Sequence, residues 1–423
     1  MPAPDSQEKV GGGVFWKITG AGASFQAGAA AVDSATVVAS LVIHLTGSVY
    51  AVGAASAVLR LGWLLPQLVV GFLAQRAERR MPFYIAGAFG RAGCLALIAV
   101  LLLNAGEPSS GFAIGFLALW TLYAFVSGIV AVPYNDIVGR SIPSGARSRM
   151  LAWRFFGGGV LALGVAAVID RLLAAEALLT AYGLIFALAS ALMFISSCSF
   201  VSAGEPPAAS KGKAAVAPGF AQFLKDGLAV LRSDARFRLF LYTQWLGGAT
   251  LMALPFYVVG ATGVGLGVRD IGILLGAQTV GALLSNALWG RIGDRFGKLA
   301  LLRAVGGLRL VPPLAALAIF ATLTDLPPSA LLAAFAILFV ALGALMNGVT
   351  IGYLGYLMEI SPNERRPAYS AYFNALASPA ALLPLAGAAI ADTVSLLAVF
   401  VVALLAAALQ LVLYGRLSRW EAL

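Results

Sequence analysis

Ionisable and reactive side chains are scarce in this chain. Its 423 residues include one histidine, two cysteines and 18 acids, and only 11% are charged. A lone histidine, His44, cannot supply a metal cluster or a histidine relay. Cys94 and Cys198 fall within separate apolar stretches at different depths, where they read as small buried hydrophobes, so no disulfide framework or metal site is expected. Paired catalytic carboxylates, a glycine-rich phosphate loop and a Walker-type loop are also missing. An enzyme or an ATP-driven pump is therefore disfavoured, and no cofactor is expected.

What the chain has in excess is apolar surface. It is 61% hydrophobic with a mean hydropathy of +0.92, and a soluble domain of that composition would lack its charged exterior. About 20 apolar residues cross a bilayer as a helix. Twelve such stretches can be marked, at 22–45, 50–74, 82–104, 112–137, 150–174 and 177–202, then 239–262, 268–289, 299–322, 329–357, 367–390 and 393–415. The alternating ten-residue segments of a membrane β-barrel are not seen. The expected fold class is all-α and integral to the membrane, with two six-helix bundles at 22–202 and 239–415. Residues 1–21 and 416–423 are left as tails and 203–238 as a linker. Met1 to Gly13 is polar and has no apolar run behind a charged head, so a cleavable signal is not expected and helix one does the targeting.

The net charge of +10 comes from 28 Lys and Arg, and their placement argues for topology instead of nucleic acid. Most lie on the side shared by both termini, while the opposite loops hold only Arg171 and Arg269. Positive residues stay cytoplasmic, so both termini and the central linker are expected inside a bacterial inner membrane or a plasma membrane. Gly204 to Arg238 opens Gly-Glu-Pro-Pro and continues Ala-, Ser- and Lys-rich, as a flexible linker does. Phe220, Phe223, Leu224, Leu228 and Leu231 then recur at helical spacing beside Lys225 and Arg232, which predicts a short interfacial helix.

The chain also repeats itself. Gly290-Arg291-Ile292-Gly293-Asp294-Arg295-Phe296-Gly297-Lys298 has a faded copy 219 positions earlier, where Gly71, Arg76 and Arg79 answer Gly290, Arg295 and Lys298. The same offset pairs Gln67 with Asn286, Tyr134 with Tyr353, Pro143 with Pro362 and Arg147 with Arg366. Two homologous halves are how many secondary transporters frame a central site.

Twelve helices in two halves, a cytoplasmic linker and Gly-x-x-x-Asp-Arg-x-Gly-Lys after a half's second helix resemble the major facilitator superfamily, over about 20–420. The resemblance implies two bundles around a cavity that opens alternately to either side, moving a small-molecule solute across the lipid bilayer as a monomer. Gly290 and Gly293 would allow close helix approach, and Gly297 a tight turn. Asp294 could accept hydrogen bonds from the amino end of a neighbouring helix. By the resemblance it latches the halves, with a partner near Arg149 to Leu151. Gln75 and Glu78 stand where the second copy has Asp294 and Gly297, so the first latch would be the weaker. The expected cytoplasmic gate is Gly71, Arg76, Arg79, Asp136, Gly290, Asp294, Arg295, Gly297 and Lys298; the alternative is that these residues only set topology.

Ionisable groups at bilayer depth are costly and usually functional. Asp33 is the acid placed nearest the midplane, since Asp136, Asp170 and Glu359 fall towards helix ends. It would carry a proton, bind substrate, or pair with Arg60. Arg154 is expected to pair with Asp136. Arg91 and Arg309, at matching depths of helices three and nine, are expected outside the cavity, and Arg303 near the inner end of helix nine to snorkel. Gln67, Gln244, Gln278, Asn286, Asn347, Tyr353 and Asn374 are candidate contacts with Trp120 and Trp245 as apolar walls, or simply join helices. An unpaired cavity arginine would suit a carboxylate or phosphate. Helix five contains Gly157-Gly158-Gly159 but lacks the Gly-Pro-Gly pattern of the family's drug–proton antiporters. The leading expectation is a transporter of a small organic solute, coupled to protons through Asp33. The alternatives are efflux of amphipathic compounds or lipids, and a non-transporting assembly factor of the same fold.

Overall fold

In a bilayer every backbone amide must find its partner within the protein, and an apolar chain does so as helices. A computed structural model describes residues 12–74, 77–104, 110–207, 220–322, 326–361 and 366–421, and among these there is no strand. The first half runs α1 (Gly12–Ala31), α2 (Val37–Thr46), α3 (Val49–Ala74), α4 (Met81–Leu103), α5 (Ser110–Gly128), α6 (Ala131–Ser141), α7 (Ser144–Ala175) and α8 (Leu178–Ala203). After α9 (Phe220–Ser233), the second half runs α10 (Ala235–Leu251), α11 (Leu254–Gly263), α12 (Ile271–Arg295), α13 (Lys298–Leu308), α14 (Val311–Thr322), α15 (Pro328–Ile360), α16 (Arg366–Ala377), α17 (Leu383–Thr393) and α18 (Leu396–Glu421).

Eleven spans among the described residues are long and apolar enough to cross a membrane, and the interrupted pair α1–α2 makes the twelfth. Twelve crossings bring the Gly12 and Glu421 ends to one face. Helix one begins at Gly12, ten residues ahead of its apolar stretch, because its first turns carry glycines, Trp16 and Lys17.

The interruptions have local causes. Asp33 Oδ1 accepts from the amides of Ala35 (3.1 Å) and Thr36 (3.0 Å) and from the Thr36 hydroxyl (2.8 Å). A carboxylate that takes up the amides of the following turn ends one helix and starts the next. At the offset of 219, Asp33 corresponds to Met252, which sits in the break between α10 and α11. There Pro255 in the first turn of α11 does the equivalent work, since proline is tolerated where its missing N–H has no intrahelical partner. Pro312 and Pro313 open α14 in the same way.

The halves meet on the face away from Gly12 and Glu421. Gly53 of α3 lies against the Pro384 carbonyl and Ala388 of α17, and Gly272 of α12 lies against the backbone of Asp170 of α7. A methyl group at either glycine would overlap the opposite half, so these close approaches depend on the missing Cβ. The largest cluster of buried apolar side chains runs across this seam and draws on both halves.

Candidate functional site

Towards the other face the halves separate around a cavity of about 680 Å3, a volume within the roughly 300–1,000 Å3 of small-molecule sites. The α1–α2 break presents Asp33 to it, α3 presents Arg60 and Trp63, and α5 presents Tyr123 and Ser127. The second half contributes Gln244 of α10, Arg309 from the α13–α14 break, Tyr353 of α15 and Asn374 of α16. Two guanidiniums therefore face one carboxylate.

Asp33 and Arg60 both line the cavity but form no ion pair with each other, so the alternative of a structural pairing is not realised. All three hydrogen bonds to Asp33 end on Oδ1, leaving Oδ2 with no protein partner among the described residues. Arg60 likewise makes no hydrogen bond or ion pair among them. Tyr353 donates to Asn374 Oδ1 at 2.5 Å, joining α15 to α16 in the wall, and Gln244 Nε2 lies 3.4 Å from the Tyr414 hydroxyl.

Several expectations are corrected. Arg309 was expected outside the cavity and instead lines it, because the break before Pro312-Pro313 turns it inwards. Its Nη1 donates to Gln410 Oε1 (2.8 Å) and Thr250 Oγ1 (3.2 Å). Arg154 does not pair with Asp136. It turns into a smaller chamber inside the first half and donates to the Tyr134 hydroxyl (2.9 Å), while Asp136 pairs with Arg140 (2.6 Å).

Gln67 and the pair Asn286 and Asn347 do not line the cavity. Gln67 donates back to Trp63 O within its own helix, and Asn347 donates to Ala282 O, joining α15 to α12. Gln278 is buried beside Met346, with Nε2 3.5 Å from the sulfur. Trp120 is not a wall but a core residue, fully buried with its indole N–H on Ala55 O. Trp245 is 40% exposed and bonds to Leu376 O. Arg303, on the outer face of α13, is exposed.

The loop motif is spread open on the side bearing Gly12 and Glu421. The Asp294 side chain is 84% exposed and its partner is Lys298 of the same motif, at 3.5 Å, so no latch to Arg149–Leu151 is formed. The reason is the separation of the halves at that end. Gly290 has nothing within 4 Å of where a Cβ would stand, so it does not serve close packing. Gly297 does need to be glycine: its φ of 86° starts α13 in a region that side chains disfavour. Arg295 lies over the Phe296 ring. Gly71 is helical in α3 and Arg79 is exposed, while Arg76 lies outside the described residues.

Sequence reasoning missed Glu205. Immediately after α8, it accepts from the Arg80 and Met81 amides that open α4 (2.8 and 2.9 Å) and pairs with Arg140 at 2.7 Å. Burial alone would raise its carboxyl, but Arg140 and the two amides outweigh that and hold it below the usual carboxylate range. The start of the linker is thereby fastened to the first half. Glu at the end of a membrane helix beside Pro-Pro was the available signal.

No protein family model matches the chain. The uncharacterized protein Rv2209 of Mycobacterium tuberculosis is 24% identical over 291 residues, which are 68% of this chain and 55% of that protein. The Mycobacterium bovis protein Mb2232, also uncharacterized, matches to the same extent, so the chain spans about half the length of these curated relatives. Among solved structures, a mutant of the nucleoside transporter NupG superposes with a TM-score of 0.71 at 10% identity, covering 96% of this chain and 99% of that one. A bacterial homologue of the lysosomal transporter Spinster, inward-facing and unoccupied, gives 0.67 at 16% identity over 98% and 99%. A POT family peptide transporter gives 0.67 at 14% identity over 96% of each chain. The fold is the major facilitator fold: twelve crossings among the described residues, in two pseudo-symmetric six-helix bundles integral to the membrane.

Proposed function

We propose that this protein is a secondary transporter that carries a small organic anion by alternating access, as a monomer, with protons as the coupling ion. The observation that carries the reading is Arg60, a guanidinium on the cavity wall with no hydrogen bond or ion pair among the described residues. An uncompensated cation at bilayer depth is costly unless a ligand completes it, and its fork suits a carboxylate or phosphate. Arg309 adds a second positive charge, and Tyr353, Asn374 and Gln244 supply neutral contacts. The cavity opens on the side of Gly12 and Glu421; the excess of Lys and Arg there supports reading that side as cytoplasmic, and in this reading the cavity is inward-open. In the outward-open state the motif would close, with Asp294 then free to reach α7. The structural neighbours are described as carrying cargoes as different as nucleosides and peptides, so the charge of the cavity decides the substrate class.

Asp33 is the proton carrier in this reading. Oδ1 holds the helix break while Oδ2 is free to take a proton facing the cavity. Asn at position 33 would keep the amide contacts and lose the proton site.

The test is a thermal-shift screen of small organic acids and phosphates on the purified protein, followed by counterflow in proteoliposomes. Anionic solutes should stabilise the protein by mass action, and Arg60→Gln should weaken binding by roughly tenfold or more. Asp33→Asn should still exchange solute but no longer accumulate it against a pH gradient. Stabilisation by neutral or cationic solutes alone would remove the anion reading. Accumulation by Asp33→Asn equal to wild type would remove proton coupling through this residue.

A further inference from the structure

Behind the Phe25 ring the first half encloses a second space, the chamber of about 150 Å3 into which Arg154 turns. Arg91 of α4 reaches it from the opposite side. Arg91 is 3% exposed, its guanidinium lies 4.4 Å from the centre of the Phe25 ring, and it makes no hydrogen bond or ion pair among the described residues. Arg154 spends one nitrogen on Tyr134, but its Nε, like that of Arg91, is buried without a partner. Tyr84, Asn135 and Ser196 complete the polar lining, and no carboxylate is among the described residues that form it.

We propose that this chamber is an oxyanion site, distinct from the central cavity, which takes the carboxylate or phosphate of a small free anion between Arg91 and Arg154. A buried guanidinium and a half-buried one, each with a buried Nε that has no partner and with no counter-ion among the described residues, repel each other. An oxyanion would satisfy both through charge-assisted hydrogen bonds. At about 150 Å3 the chamber is far smaller than the central cavity of about 680 Å3, and has room for phosphate or a short carboxylate. Phe25 and Trp63 line both the chamber and the central cavity, so an anion in the cavity meets the chamber across these two rings.

The second half shows that such a space is not a by-product of the repeat. At the offset of 219, Ala21 and Arg154 become Phe240 and Phe373, whose rings pack 4.9 Å apart and fill the equivalent place. The small Ala21 leaves the room that the Arg154 guanidinium and its ligand occupy. This assignment does not depend on the central cavity being a transport site.

The test uses the full-length purified protein in detergent, titrated with sodium phosphate and separately with sodium acetate, against sodium chloride at matched ionic strength. Thermal unfolding and titration calorimetry are the readouts. The expected result is a saturable stabilisation by phosphate or acetate that chloride does not give. Arg154→Gln should weaken the apparent affinity by roughly tenfold or more. Ala21→Phe, which places the ring of the second half in the chamber, should abolish the binding that persists in Arg60→Gln. Should Ala21→Phe fail to fold by circular dichroism, Arg154→Gln decides. Equal stabilisation by chloride, or full affinity in Arg154→Gln, overturns the proposal. Loss of binding in Arg60→Gln with retention in Arg154→Gln also overturns it, placing the anion in the central cavity and leaving the transport reading intact.

Discussion

The two halves of this protein share one plan and fill it differently. Five pairs of positions 219 apart make the point: Ile18, Ala21, Ile137, Met150 and Arg154 in the first half answer Phe237, Phe240, Tyr356, Tyr369 and Phe373 in the second. The second set is a buried aromatic cluster in which Phe240 packs 4.8 Å from Tyr356 and 4.9 Å from Phe373. The first set is aliphatic apart from Arg154 and leaves the arginine chamber. The contrast extends to the two arginines at matched depth. Arg309 is held by Gln410 and Thr250, whereas Arg91 lies over a ring with no hydrogen bond among the described residues. The shared plan supplies the frame, and the side chains make one half a packed support and the other a holder of charge.

The largest effect should come from breaking the packed half. Phe240→Ala removes a ring with no exposed surface and should cost about 3–5 kcal/mol, read as a fall in thermal stability of the solubilised protein. Ala21→Gly in the first half should cost far less, about 1 kcal/mol, as a helix propensity change alone. Comparable losses at the two sites would show that the halves are packed alike.

The arginine pair sharpens the comparison next. Arg309→Met should destabilise by about 2 kcal/mol, because Gln410 and Thr250 lose a charged partner. Arg91→Met should be neutral or stabilising in anion-free buffer, since it removes a buried charge that no acceptor compensates. A large loss at Arg91 would mean that the chamber is structural.

A third difference lies where the linker leaves α8. Glu205→Gln should cost about 1–2 kcal/mol at pH 7, as Arg140 and the first amides of α4 lose a charged acceptor. Because the folded carboxyl lies below its ordinary value, this stabilisation is fully present above about pH 4.3 and is lost as pH falls through the depressed value. The gap between wild type and Glu205→Gln should therefore close in acid. A gap that persists unchanged below pH 3 would contradict it. The smallest effect belongs to the cavity wall: Tyr353→Phe should cost about 1 kcal/mol or less, through loss of the bond to Asn374, and should leave the aromatic cluster in place.

The frame was legible from the chain because both of its signals are local. Hydropathy marks the crossings, and the offset of 219 marks the halves. The start of helix one at Gly12 was not, since Trp16 and Lys17 break an apolar count without breaking a helix. Asp33 could be singled out as a rare acid at depth, but not its bonding to Ala35 and Thr36, which depends on the chain leaving the helix there. Arg309 was misplaced because helix nine was treated as continuous. The Arg91–Arg154 chamber joins residues 63 positions apart on helices whose rotation no linear pattern reports. Asp294 was expected in a latch to α7 and instead pairs with Lys298 of its own motif, because no linear pattern reports how far the halves stand apart at that end.

The proposed transport requires the halves to rock about the cavity, and spin-label distances in proteoliposomes report that motion on a background with Cys94 and Cys198 replaced by alanine. One label pair spans Arg149 and Asp294 on the open side, and the other spans Tyr50 and Val394 across the closed seam. Two populations are expected whose proportions respond to pH and to a stabilising organic anion, the open-side distance shortening as the seam distance lengthens. A single, unchanging distance at both pairs under all these conditions would contradict it.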